Sequence, residues 1–390
     1  MKPIIGNMQN QIHDHHPPIW KSEKLGGIIM LACTIISILL TNLNIFQYIN
    51  FWNNQILGHS LTQWINDGLM AIFFLAIGLE LENEIYSGEL SNFKNALLPI
   101  FAAFGGMIIP AGIYYFLNAG SEYQSGAGIP MATDIAFALG ILALLGKRVP
   151  KPLKLFIMSL AIIDDLGSIL SIAIFYSKTL NWMNLGYSLG IFWLLILLKK
   201  AGKYNPIIFI SGGILMWYFM LHSGIHATIT GVLFAFVLPY KNGKKLSPSA
   251  KMQANLHVPV SYIIIPIFCL ANTCISLHAL QSDMILTTNN LGIILGLLIG
   301  KPLGICLFSY LAIRFKLGAL PNNVQWKHIF SISLIAGIGF TMAFFISNLA
   351  FQEPKYIESS KISILIASLF AGIFGLISLH FSLNNTKTSV

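Results

Sequence analysis

Apolar residues run in long stretches along this chain, interrupted at short intervals by polar clusters. A membrane-spanning helix needs about 20 mostly apolar residues. Runs of that kind predict helices near 25–43, 64–81, 96–117, 127–146, 153–176, 182–198, 205–220, 223–239, 259–277, 290–313, 328–350 and 362–382. The expected fold is therefore an all-α polytopic membrane protein with twelve transmembrane helices. It divides into a tail at 1–24, one transmembrane domain at 25–382 and a second tail at 383–390. Residues 1–24 are polar and lack the apolar core of a cleavable signal. His13, His15 and His16 in that tail read as solvated side chains rather than a metal site.

Composition supports the same class. Charged residues make up 9% of the chain and hydrophobic types 55%, with a mean hydropathy of +0.73. Soluble domains carry roughly 25% charged residues, so a cytosolic enzyme, a disordered chain and a secreted scaffold are all excluded. The net charge of +9 has no long basic run behind it, which argues for lipid and topology rather than nucleic acid. Cys33, Cys269, Cys274 and Cys306 lack ligand-like spacing and read as small buried hydrophobes. No cofactor is expected.

Charge placement tests the span count. With twelve spans, the tails and even-numbered loops collect 19 basic residues, among them Lys24, Lys147, Arg148, Lys199, Lys200, Lys251, Arg314 and Lys327. The odd loops hold Lys178, Lys355 and Lys361. The positive-inside rule then makes the first side, with both termini, cytoplasmic. One basic residue is left over: Lys301, inside the apolar run Gly296–Gly304.

Ionisable groups at membrane depth are costly and face a cavity or each other. Asp134, Asp164 and Asp165 fall toward the middle of the fourth and fifth runs. Asp67 and Glu80 lie near opposite ends of the second and read as interfacial. On a helix, the adjacent Asp164 and Asp165 point about 100° apart, so one can meet a partner while the other faces a cavity. Lys301 is the one deep cation, which predicts an Asp–Lys pair and a carboxylate without a fixed countercharge. Such a carboxylate favours protonation in a low dielectric, and it can also take a small hard cation such as sodium. Competition between the two is the minimal chemistry of an antiporter.

Two further stretches suggest interrupted helices. Pro130 and Thr133 fall within the fourth run, and Gly337, Gly339 and Thr341 within the eleventh. Breaks in corresponding spans mark substrate sites in transporters built from repeats. Asp134 near helix N-termini and Lys301 near C-termini would offset the partial charges there. His226, in Ser223-Gly224-Ile225-His226, is a candidate pH sensor because imidazole titrates near neutrality.

These residues resemble the NhaA-type bacterial sodium/proton antiporters. The matching stretches are Trp64 to Leu69, Gly78-Leu79-Glu80, Ala132 to Gly140, Ala161 to Gly167, Ser223 to Thr228, Gly300 to Gly304 and Gly337 to Met342. The resemblance implies an electrogenic exchanger in the bacterial inner membrane that expels sodium or lithium against inward proton flow. It implies inverted repeats and discontinuous helices at spans 4 and 11. Asp165 would be the principal ion- and proton-binding carboxylate, and Asp164 its neighbour paired with Lys301. Both would hold sodium or lithium transiently, with Asp134 and Thr133 close by. Three departures stand out. Leu81-Glu82-Asn83-Glu84 replaces the family's Val-Lys-Arg-Glu, and Lys251 to Asn255 lacks its glutamate. Both lie in the family's pH-sensing region, where Glu80 and Glu84 remain candidates. The external segment from Asn42 to Gln63 is shorter than the hairpin through which members dimerise, so a homodimer would use a reduced contact.

Two other readings fit less well. A cation-coupled solute symporter would want polar groups shaped for its solute. An intramembrane aspartyl protease also uses two buried acids, but in Gly-x-Gly-Asp and Tyr-Asp settings that Asp134 and Asp164 lack.

Overall fold

The computed structural model describes residues 19–43, 45–176, 180–240, 247–276, 287–321 and 323–384. His13, His15 and His16, most of the N-terminal tail, the end of the C-terminal tail, and Lys2, Lys178, Lys241, Lys244, Lys245 and Lys387 lie outside them.

The apolar runs form helices α1 (Ile19–Leu43), α2 (Ile45–Asn53), α3 (Leu61–Tyr86), α4 (Phe93–Asn118), α5 (Ile135–Leu145), α6 (Lys151–Phe175) and α7 (Trp182–Lys200). They continue as α8 (Pro206–Leu221), α9 (Ile229–Val237), α10 (Pro248–Asn272), α11 (Thr288–Arg314), α12 (Trp326–Ala336), α13 (Phe340–Ala350) and α14 (Pro354–Asn384). Among the described residues nine helical segments are long and apolar enough to cross a membrane, or ten with α12 and α13 taken together. The chain is thus an all-helical, multi-pass membrane protein.

Two of the expected runs differ. The run at 205–220 is a 16-residue helix, α8. The run at 223–239 contains the nine-residue α9, about 14 Å long at 1.5 Å per residue and well short of a bilayer core of about 30 Å. The reason is local. Gly224 adopts φ +87°, a left-handed conformation that glycine enters freely, and Ser223 Oγ donates back to the Met220 carbonyl at 2.7 Å. The chain turns there, and His226 sits in that turn rather than in a helix.

Between α2 and α3 a minimal antiparallel hairpin pairs β1 (Gln55–Ile56) with β2 (His59–Ser60). Leu57 (φ +53°) and Gly58 (φ +83°) form its tip, and Ser60 caps α3 by accepting from Gln63 N.

Close helix crossings depend on missing side chains. Where α4 meets α11, a Cβ on Gly105 would overlap the Gly304 carbonyl oxygen, and one on Gly304 the Gly105 carbonyl. Without a hydrophobic drive between helices in lipid, such small-residue contacts let backbones approach. A broad buried core then joins α4, α6, α11, α12, α13 and α14.

Two chain breaks meet inside this core. A 3-10 segment (Gln124–Met131) gives way to extended residues through Asp134 before α5 begins. α12 stops at Ala336, and α13 restarts at Phe340 with its axis bent by 47°. The Asp134 N–H donates to the Ile338 carbonyl at 2.7 Å, so each break supplies a backbone partner for the other.

Candidate ion site

The crossing places helix ends beside the aspartate pair of α6. Asp164 and Asp165 are both fully buried. Asp164 Oδ2 accepts from Lys301 Nζ at 2.7 Å and lies 2.8 Å from Thr133 Oγ1. Lys301 also donates to Thr133 Oγ1. The threonine's single proton then serves either Asp164 Oδ2 or the Ala336 carbonyl at 3.0 Å. Ala336 closes α12, so the ammonium reaches a negative helix end through one hydroxyl. Lys301 follows a π-helical turn at Gly296–Gly300, a feature that re-aims side chains and recurs at functional sites. Gly300 packs against Pro110 of α4.

Asp134 caps two helices. Its Oδ1 accepts from Phe137 N in the first turn of α5 at 2.9 Å. Its Oδ2 accepts from Thr341 N at 3.1 Å and Thr341 Oγ1 at 2.6 Å, in the first turn of α13. A carboxylate at an N-terminus satisfies orphan N–H groups and meets the positive end of the dipole. Asp134 is therefore occupied as a cap, unlike a free acid of a protease pair.

Asp165 has a different setting. Its Oδ1 lacks a hydrogen-bond partner among the described residues, as does Asp164 Oδ1. Asp165 lines a cavity of about 300 Å³ together with Glu80, Glu84, Asp134, Gln253, His257 and Thr341. Glu80 thus faces this cavity rather than the lipid–water interface, and Glu84 lies one turn further along the same face of α3. A larger cleft of about 920 Å³, between α4, α6 and the chain after α11, holds none of the predicted site residues.

The structure does not bring His226 to this cavity. Its Nε2 lies 3.0 Å from the Tyr176 carbonyl beyond the end of α6. His257 lines the cavity instead. Gln253 and His257, four apart, share one helix face, but that spacing alone does not say which cavity the face meets. Glu82 was also missed. It points about 200° away from Glu80 and is buried, accepting from Ser249 Oγ at 2.5 Å with Lys199 Nζ 3.7 Å away. Lys154 and Lys361 are buried as well, both near the starts of their helices, so Lys301 is not the sole sheltered lysine. The four cysteines are free, with Cys269 buried. Among the described residues no cluster of three or more His, Cys, Asp or Glu side chains is arranged to hold a metal.

Comparison with known proteins gives the family. A profile of the family described as Na+/H+ antiporter 1 matches residues 18–379. The chain is 53% identical to the Na(+)/H(+) antiporter NhaA of Flavobacterium psychrophilum, over 94% of this chain and 96% of that protein. It is 51% identical to the NhaA of Cytophaga hutchinsonii, over 93% and 94% of the two chains. With the NhaA of Dechloromonas aromatica the identity is 48% over 98% and 99%. The fold is similar to that of the sodium proton antiporter MjNhaP1 from Methanocaldococcus jannaschii, with a TM-score of 0.51 at 13% identity over 93% and 94% of the chains. The chain belongs to the Na+/H+ antiporter 1 family.

Proposed function

We propose that this chain exchanges sodium or lithium for protons electrogenically, by alternating access, with proton and cation competing for Asp165. One observation carries the reading. Asp165 opens on a cavity with a carboxylate oxygen left unpartnered, while its neighbour Asp164 is tied to Lys301. An unpaired acid beside a compensated one is the arrangement in which two cations of different kind exclude each other. The Asp164–Lys301 pair is the group at hand for the additional proton that electrogenic exchange requires.

The cavity lining comes from Gly26 and Gly27 of α1, the C-terminal end of α3, and Gln253 and His257 early in α10. All adjoin the side richest in basic residues. By the positive-inside rule that side is cytoplasmic, so this is an inward-facing state in a bacterial inner membrane, with both termini inside. On this reading there are twelve crossings, with 205–220 and 223–239 forming short ones, and discontinuous spans at 127–146 and 328–350. Glu80 and Glu84 at the cavity supply pH sensitivity. The hairpin, with Leu57 exposed at its tip, is the reduced contact for a homodimer.

The test uses everted vesicles or proteoliposomes holding a pH gradient. Sodium and lithium should dequench a pH dye, and Asp165→Asn should abolish the response. No response to either cation between about pH 6.5 and 9 would overturn the reading. The apparent sodium KM should climb as pH falls, by up to about tenfold per pH unit, as mass action requires when one proton and one cation share a site. A KM independent of pH would remove the shared carboxylate.

A further inference from the structure

Ser168 lies one turn beyond the aspartates on α6. At about 100° per residue it falls about 40° past Asp164 and about 60° short of Asp165, so its side chain projects between the two. Neighbours three and four apart bring Cβ atoms to about 5–6 Å, within reach of one small ion. The side chain is fully buried, and Oγ has no hydrogen-bond partner among the described residues.

That isolation is uncommon in this chain. Thr34, Thr41 and Ser331 each donate to the carbonyl four residues back, at 2.9, 2.8 and 2.8 Å. Ser171, on the same helix as Ser168, does so to Gly167 at 2.9 Å. Ser309 and Thr230 also lack partners among the described residues, but neither is on the helix carrying the aspartates. Ser168 Oγ, Asp164 Oδ1 and Asp165 Oδ1 thus form three unsatisfied buried oxygens on adjoining turns of one helix. Buried polar atoms without partners are costly, and each calls for a ligand. Hard cations take oxygen ligands.

We propose that Ser168 Oγ is an oxygen ligand of the transported cation, completing with the free oxygens of Asp164 and Asp165 a three-oxygen face on α6. The proposal rests on the antiporter reading and adds to it a place for the ion. On α6 (Lys151–Phe175) the cavity touches Met158 and Asp165, so Ser168 lies beyond Asp165 on the side away from Met158. Engaging it draws the cation off the cavity and toward the opposite face.

The experiment compares Ser168→Ala, Ser168→Cys and Ser168→Thr in the full-length protein. The readouts are sodium and lithium KM at fixed pH in proteoliposomes and lithium binding by titration calorimetry. Ala removes the oxygen, Cys replaces it with a sulfur that suits hard cations poorly, and Thr keeps it. Ala and Cys should raise KM and the lithium dissociation constant by roughly three- to tenfold, the scale of one lost polar contact. Thr should stay close to wild type, and the lithium-to-sodium preference should change in Ala. KM in Ser168→Ala within about 1.5-fold of wild type would overturn the proposal. So would Cys behaving as wild type, or failure of both Ala and Cys to assemble, since the hydroxyl would then serve packing. A wild-type protein without cation response would instead sink the antiporter reading.

Discussion

The two ends of the space between α3, α10 and α13 are packed differently. On one side of Asp165 these helices part around the cavity lined by Glu80, Glu84, Gln253 and His257. On the other side they close. Phe345 packs against Phe74 and Phe268, with ring centroids 5.4 and 6.5 Å apart. Beyond the rings, Asn272 exchanges hydrogen bonds with Asn66 and accepts from Asn348 Nδ2 at 2.7 Å. The difference is one of packing: polar side chains line the cavity side, while rings and amides fill the other. Aromatic rings exclude water, and the amides fix the register of the three helices without leaving polar groups bare.

The contrast breaks first at its shared centre. Lys301→Ala should destabilise the protein by about 3–5 kcal/mol, because it strands the buried Asp164 carboxylate. Adding Asp164→Asn should recover most of that loss. A thermal melt in detergent decides it, and a lone Lys301→Ala as stable as wild type would mean the pair is not the lock described. Next comes the closed half. Phe345→Ala should cost about 3 kcal/mol and admit water. In a protein keeping Cys269 as its one cysteine, labelling by an impermeant thiol reagent from the far side should rise. Unchanged labelling would place the seal elsewhere. The smallest effect belongs to the open half. Glu84→Gln should change stability by no more than about 0.5 kcal/mol yet displace the pH profile of exchange. An unmoved profile would take the cavity acids out of pH control.

Much of this was legible in the chain. Apolar runs locate the long helices because lipid demands them, and charge counting sets Lys301, the one lysine deep within an apolar run, against an aspartate. Pro130 and Gly337–Gly339 mark where helices stop, since neither residue type favours a helix interior. What hydropathy averages over is a turn inside an apolar stretch, as at Gly224. Which face of a helix meets a cavity was also hidden. His226 and His257 look alike in sequence, and packing alone sends one to Tyr176 and the other to the cavity. Glu82 escaped for the same reason, because its partner Lys199 is distant in the chain.

Asp134 carries a mechanical consequence. One carboxylate holds the starts of α5 and α13 at once, and the Ile338 carbonyl holds Asp134 in return. Pulling the two chain breaks apart would expose several N–H groups together, so the crossing travels as one rigid piece. Loss of that one carboxylate would therefore uncap both helix starts at once, loosening the two interruptions together.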